Sequence, residues 1–369
     1  MIIKNLKLQN YRNFEKLNLI FNPNLNIFIG NNAQGKTNIL ESIYVLGMTK
    51  SFLQVDDSNL ISFDKGNFFI SGEVILSEKK KKFQVSMADN TKILKINNKV
   101  INKNSDYVSK INVIVFSPND LKLIKYNPMF RRRFINMEIS QLDNFYVKLM
   151  NEYNLLLKKR NSYLKQLKNG ESLNELFFNL LNNKFIDLAI KVYLKRKEFF
   201  QLINDEITNI FFEISGFSGL KIKYLTSFNI EDENLADLFK KKLEINFEKE
   251  KLQGVSLYGP HRDDFCFFLN DLEMDSYCSQ GQQRMAILSL KLAEINIFKK
   301  IKEDNPIILL DDIFSELDTD KQNKLIKYIN QDIQTIITTT DLNKINESLL
   351  NNAKIFKVID GKVEVIKNE

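Results

Sequence analysis

The sequence predicts a mixed α/β fold whose two halves flank an inserted helical lobe. Three observations carry that expectation. β-patterned runs alternate with single helices at both ends of the 369-residue chain, apolar residues recur at helical spacing from Phe130 to about Ile214, and α/β patterning resumes from Val255. The division they imply is one discontinuous domain, residues 1–117 with 253–369, carrying residues 118–252 as an insertion.

The opening reads as strands at Ile2–Leu8, Leu17–Phe21 and Leu25–Ile29, with the turn formers Asn22-Pro23-Asn24 between the second and third. A helix follows over Thr37–Leu46. Further strands are expected at Phe68–Leu76, Lys82–Met87 and Ile111–Phe116, with Lys79 to Lys82 marking a hairpin turn. The character of the chain changes near Ser117-Pro118-Asn119-Asp120. Leu149, Tyr153, Leu156 and Leu157 share one helical face, and Leu176, Leu180, Leu188 and Val192 share a second. Lys168-Asn169-Gly170 separates the two helices, and Ser172 with Glu175 supplies a capping box for the second. A helix over 282–301 is broken by Pro306 before the apolar strand Ile307–Leu310, whose lack of alternation marks a strand buried on both faces. A helix over Lys321–Asn330, a strand over Thr335–Thr338 and a hairpin around Asp360-Gly361 complete the chain.

Composition excludes several classes. The two cysteines, Cys266 and Cys278, have neither disulfide-framework nor zinc-site spacing. His261 is the only histidine, so chemistry that needs a second one is ruled out. Met1–Phe14 has no charged segment followed by an apolar one, and no run of 18 apolar residues occurs. No signal peptide, no membrane span and a cytoplasmic location are therefore expected. A net charge of +7 suits a nucleic-acid binder, because lysine and arginine release counterions from phosphates. The chain is also crowded with Asn, Lys and Ile, a bias an AT-rich genome imposes on any protein, so charge alone does not decide the matter.

The residues that carry chemistry begin with Gly30-Asn31-Asn32-Ala33-Gln34-Gly35-Lys36-Thr37, a GxxxxGKT loop between an expected strand and an expected helix. The glycines let successive N–H groups aim at phosphate oxygens, and the helix that starts at Lys36 adds its positive end. Lys36 is expected on the β- and γ-phosphates of ATP and Thr37 on Mg²⁺. A metal-side carboxylate is needed at the end of a neighbouring buried strand, and Asp311 supplies it. Asp312 follows where a general base would orient water, the position usually held by glutamate in ABC-type ATPases. Its side chain is one methylene shorter, so slow hydrolysis and a switch rather than a motor are expected.

Ser279-Gln280-Gly281-Gln282, opening an amphipathic helix, resembles the ABC signature in its SMC-like form. In that class the motif contacts nucleotide held by the opposite subunit, which would make ATP the glue of a homodimer. Ser315-Glu316-Leu317-Asp318 looks like the D-loop, with Asp318 communicating across the dimer, and Thr340 stands near the position of the γ-phosphate-sensing histidine of transporters. The fold class expected is thus an ABC-type P-loop ATPase head, a mixed sheet with helices, carrying an inserted helical second lobe.

Tyr11-Arg12-Asn13-Phe14, Asn38-Ile39-Leu40-Glu41, Lys50-Ser51-Phe52, Arg131-Arg132-Arg133-Phe134 and Tyr258-Gly259-Pro260-His261-Arg262-Asp263-Asp264, together with the motifs above, resemble the RecF family over nearly the whole chain. The resemblance implies ATP binding with Mg²⁺, ATP-dependent dimerisation and slow, DNA-stimulated hydrolysis. It also implies binding of DNA at junctions or gaps, RecA loading with RecR and RecO, and a part in SOS induction. Leu53 stands where the family pattern has arginine, and Ile135-Asn136 where it has Leu-Asp. Arg131, Arg132 and Arg133 are candidate DNA contacts, weighed evenly against a helix start paired to a carboxylate. His261 and Arg262 read as structural support for the signature region. An SMC protein proper would need hundreds of residues of heptad repeat where this chain has a short hairpin. A transporter ATPase subunit and a regulator that binds no DNA are the competing readings.

Overall fold

The computed structural model describes residues 1–228, 234–329, 332–345 and 347–367. The chain divides into two compact units. The first comprises Met1–Leu121, Asn209–Gly216 and Arg284–Glu369; the second comprises Lys122–Thr208 and Phe217–Gln283.

The first unit opens with β1 (Ile2–Tyr11) and β2 (Phe14–Ile20), which pair antiparallel, then β3 (Leu25–Ile29) and α1 (Lys36–Met48). β4 (Asn67–Leu76), β5 (Lys79–Ala88), β6 (Thr91–Ile96) and β7 (Lys99–Val100) extend the antiparallel sheet in the order β2-β1-β4-β5-β6-β7. The turn between β4 and β5 is Ser77-Glu78, both at positive φ, as a two-residue hairpin that matches strand twist requires. Lys79 to Lys82, expected at the turn, therefore lie within β5. β8 (Val113–Phe116) belongs to the other sheet of this unit.

In the second unit, α2 (Pro128–Leu142), α3 (Asn144–Lys168) and α4 (Glu175–Ser215), whose last residues from Asn209 are assigned to the first unit, form the helical run expected from the apolar spacing. Asn127 caps α2 with proline at its first position, and Asp143 caps α3. The capping box expected from Ser172 and Glu175 does not form. Asn174 takes the position instead, its Oδ1 accepting the Phe177 N–H at 3.0 Å. β9 (Leu220–Leu225), β10 (Asp264–Leu269) and β11 (Leu272–Glu273) make a three-stranded antiparallel sheet. The head expected to resume at 253 resumes at Arg284, because β10 pairs along its whole length with β9 rather than with a strand of the first unit.

His261 belongs to this second unit and lies half-buried against α3. Its Nδ1 is 2.6 Å from the Tyr153 hydroxyl and its Nε2 3.1 Å from the Ser256 carbonyl. Burial pushes the imidazole down to about 4, and neighbouring arginines push the same way. An unfolded histidine titrates near ~6.5, so below that pH the unfolded chain binds the extra proton and stability falls as pH drops towards 4. Because the chain has one histidine, a single imidazole NMR resonance should titrate near 4 in the folded protein. A midpoint above 6 would contradict this burial.

The chain returns to the first unit through α5 (Gln280–Lys302), followed by β12 (Ile307–Asp311), α6 (Thr319–Tyr328), β13 (Thr335–Thr339), β14 (Ala353–Ile359) and β15 (Lys362–Lys367). The expected helix end at Asn330 lies outside the described residues. The second sheet runs β15-β14-β3-β13-β12-β8, parallel except for β15. β8, β12 and β13 are buried at every residue, as the unalternating apolar runs of β8 and β12 require. α1 packs against strands of both sheets, which is why it is apolar nearly all round. Among the described residues no helix is long and apolar enough to cross a membrane.

Candidate nucleotide site

The loop from Gly30 to Gly35 joins the carboxyl end of β3 to α1, outside the ends of a parallel sheet, where such folds bind ligands. Two glycines are sterically obligatory. A Cβ on Gly30 would stand 2.4 Å from the Val358 carbonyl oxygen of β14, and Gly35 has φ +108° with the Asn13 amide 2.5 Å from where its Cβ would be. The tip, Asn31 to Ala33, is exposed. Lys36 is buried and folds over the loop, its Nζ donating to the carbonyls of Gly30 at 2.6 Å and Asn31 at 2.8 Å. Burial lowers its ammonium from the ordinary range, while Asp312 and Asp311 pull it back up.

Thr37 and Asp311 meet as the sequence anticipates: the hydroxyl donates to Oδ1 at 2.9 Å and to Oδ2 at 3.1 Å. Burial raises the Asp311 carboxyl, offset by hydrogen bonds from Thr338 and Thr37. Asp312 follows in the left-handed region at φ 53°, a conformation aspartate tolerates. Its N–H donates to Thr338 Oγ1 at 3.0 Å, and its buried Oδ1 has no partner.

These groups fit a nucleotide and Mg²⁺. A hydroxyl beside one carboxylate is the oxygen set that Mg²⁺ takes when phosphates supply other ligands, and among the described residues no cluster of three protein ligands forms a cage of its own. The unpartnered oxygen of Asp312 is a buried acceptor awaiting a donor.

Several contributors carried no role in the sequence reading. The hydroxyl that reaches Asp311 from β13 belongs to Thr338, at 2.9 Å, whereas Thr340 lies one residue beyond the strand. Glu41 on α1 is fully buried and binds four donors: Arg12 Nε at 2.7 Å and Nη2 at 2.6 Å, the Tyr11 hydroxyl at 2.9 Å and the Ser51 hydroxyl at 2.5 Å. Burial and the adjacent Glu41 carboxylate raise the Tyr11 phenol well above its ordinary range. Three family motifs thus converge on one carboxylate beneath the phosphate loop. Asn13 completes the bracing, donating to the Gln34 carbonyl at 3.0 Å and accepting from Asn38 at 2.8 Å. An acid among the apolar residues of a buried helix was the available signal for Glu41.

The signature turn lies in the second unit at the start of α5. Ser279 Oγ accepts the Gln282 N–H at 3.3 Å while Gln282 Oε1 accepts the Ser279 N–H at 2.9 Å, a capping box. Ser279, Gln280 and Gly281 are exposed, and a Cβ on Gly281 would meet only Ser279 Oγ, at 3.9 Å. Asp318 caps α6 through the Lys321 N–H at 3.0 Å and is exposed. Gln283, next in the signature helix, is buried and donates to the Met274 carbonyl at 2.8 Å.

The arginine triplet divides. Arg131 is buried and forked onto Asp264, at 2.6 Å and 2.7 Å, with Nη1 on the Tyr126 carbonyl at 2.6 Å, so it is a structural clamp and not a free phosphate ligand. Arg132 is half-buried and donates to the Asp263 carbonyl at 2.8 Å. Arg133 is half-buried as well. His261 faces Tyr153 of α3 and not the signature turn, the support expected of it being directed elsewhere.

Residues 2–364 match the family model described as the RecF/RecN/SMC N terminal domain. The DNA replication and repair protein RecF of Streptococcus pneumoniae is 39% identical over 370 aligned positions that span all of both chains. The chain belongs to the RecF family. A solved structure of the recombination mediator protein RecF-ATP in the RecFOR pathway covers 99% of this chain and 98% of its own, at 30% identity and a TM-score of 0.92. An Smc head domain bound to the C-terminal domain of ScpA, from Pyrococcus furiosus, superposes at 0.53 with 18% identity, a likeness of fold. The RecF fold and the ABC-type ATPase head expected from the motifs are therefore one and the same architecture.

Proposed function

We propose that this RecF-family chain is an ATP-dependent DNA-binding protein of recombinational repair and replication. It dimerises on ATP and helps load RecA at single-stranded gaps, working with RecR and RecO and contributing to SOS induction. The observation that carries the reading is the joining of Thr37 to Asp311 beneath an intact phosphate loop, in a chain that matches the RecF-ATP structure end to end.

Lys36 and the loop N–H groups hold the phosphates, and Thr37 and Asp311 hold Mg²⁺. Bound ATP·Mg²⁺ supplies the charge that the opposite subunit recognises. Ser279 to Gln282 provide that recognition in trans. In support, the turn is exposed, and a Cβ at Gly281 would meet only Ser279 Oγ at 3.9 Å among the described residues, so the backbone there is open to a docking group. Asp318 lies exposed, available to such an interface. Asp312 orients water slowly, and the protein acts as a switch. A cytoplasmic location follows from acting on DNA.

Sedimentation with and without ATP·Mg²⁺ and a gapped duplex tests the reading, the expected result being a dimer that forms only with ATP and holds the duplex. Lys36→Ala should weaken nucleotide binding by roughly 10²-fold, the scale of one charge-assisted contact to phosphate, and abolish the dimer. A wild-type monomer indifferent to both ligands would refute the proposal.

A further inference from the structure

The antiparallel sheet of the first unit has two unlike faces. Its inward side chains, among them Leu6, Leu8, Ile70, Val85 and Leu94, are buried, and α1 packs against this sheet. Alternation at period two sends their neighbours to the other side. Those outward positions include Lys16 on β2, Lys7 on β1, Lys80 and Lys82 on β5, and Lys95 on β6. The one carboxylate among the outward positions of the five long strands is Glu73, and it is engaged by Lys80 at 2.7 Å and by the Asn5 amide at 2.7 Å. Five lysines against one acid is a local bias well beyond that of the whole chain, where 53 basic residues face 46 acidic ones.

The register fixes the pattern. Lys7 pairs with Ser71, Ser71 with Gln84 and Gln84 with Lys95, so a polar row crosses four strands with a lysine at each end. At ~4.8 Å per strand the two lysines stand about 14 Å apart, comparable to the ~12 Å width of a DNA major groove. Lys16 lies one row to one side and Lys82 one row to the other. The apolar outward residues Ile20 and Val100 stand at the two margins, Phe69 and Ile93 a row away on one side, and the pair Ile2 and Ile75 two rows away on the other, beside Lys80. A protein partner generally seeks an apolar centre depleted of charge, whereas a face whose central row is polar and flanked by lysines suits a phosphate backbone.

We propose that this outward sheet face is a docking surface for the sugar-phosphate backbone of duplex DNA, read without sequence preference. The proposal rests on the DNA-binding reading above and gives it a location. The half-buried Gln84 amide supplies a neutral hydrogen-bonding group between the lysine contacts, while Ser71 is buried at the centre of the row.

The test is the triple variant Lys7→Gln, Lys16→Gln, Lys95→Gln, compared with a control that removes three exposed lysines elsewhere, Lys240→Gln, Lys357→Gln, Lys362→Gln. Binding of a short duplex to the ATP-bound protein is followed across a salt titration. At about 0.9 per phosphate contact, the slope of log K against log salt should fall by roughly 2.7 in the sheet variant, and affinity near 0.15 M salt by on the order of 100-fold. ATP-driven dimerisation and thermal unfolding should match wild type, and the control should bind as wild type. A sheet variant with unchanged slope and affinity overturns the proposal while leaving the functional reading standing. Equal losses in sheet variant and control overturn it too, since binding would then follow net charge. A wild-type protein that binds no duplex refutes the functional reading and this surface together.

Discussion

Asp312→Asn should leave ATP bound and the ATP dimer intact while hydrolysis falls by about 10²–10⁴-fold, the usual scale of a positioned general base. Asparagine has nearly the same shape and tolerates the left-handed conformation that residue 312 adopts, so the backbone has no reason to move. The Asp312 N–H to Thr338 contact, a backbone donor, survives the change. What disappears is the charge and proton affinity of a buried carboxylate oxygen that no protein group engages. Single-turnover phosphate release separates this outcome from a binding defect, and sedimentation should show a dimer that persists after wild type has dissociated. Asp311 provides the contrast. Its carboxylate is committed to Thr37 and Thr338, so neutralising it should weaken the ATP complex itself. Hydrolysis by Asp312→Asn at the wild-type rate would remove Asp312 from the role of base.

The phosphate loop and the aspartate pair were legible because their chemistry depends on local sequence. A strand, a glycine loop, a helix start and a buried strand ending in carboxylates each leave a contiguous signature. Residues that act through long-range packing left less. Glu41 receives Arg12 and Tyr11 from β1 and its turn, and Ser51 from beyond α1, a meeting that no local pattern encodes. Thr338 and Thr340 have the same side chain two residues apart; only the end of β13 decides which of them reaches Asp311. Arg131 settles an alternative that the sequence left open. A basic cluster fits a DNA contact and a carboxylate-paired helix start equally well, and only Asp264, 133 residues away in sequence, decides for the second by meeting the guanidinium with both oxygens. The boundary near 253 was missed for a related reason, since a strand's sequence does not say which partner it will choose, and β10 chose β9.

Ser279→Arg should leave ATP binding by the isolated chain unchanged and abolish ATP-driven dimerisation at concentrations where wild type is dimeric. The turn is exposed, so an arginine fits without displacing core, and loss of the Ser279 cap should cost about 1 kcal/mol of stability. Ser279→Ala removes the same cap without bulk and calibrates that cost by thermal unfolding. The decisive form of the experiment mixes two inactive proteins, one carrying Lys36→Ala and the other Ser279→Arg. If each nucleotide is sandwiched between the loop of one subunit and the signature turn of the other, the mixed dimer contains one site built from two intact halves and one broken in both. Mixing should then restore ATP-dependent association that neither variant shows alone. If loop and turn instead served the same nucleotide within one chain, both sites of any mixed pair would remain defective. No recovery on mixing, or dimerisation by Ser279→Arg alone at the wild-type level, would rule out the composite site.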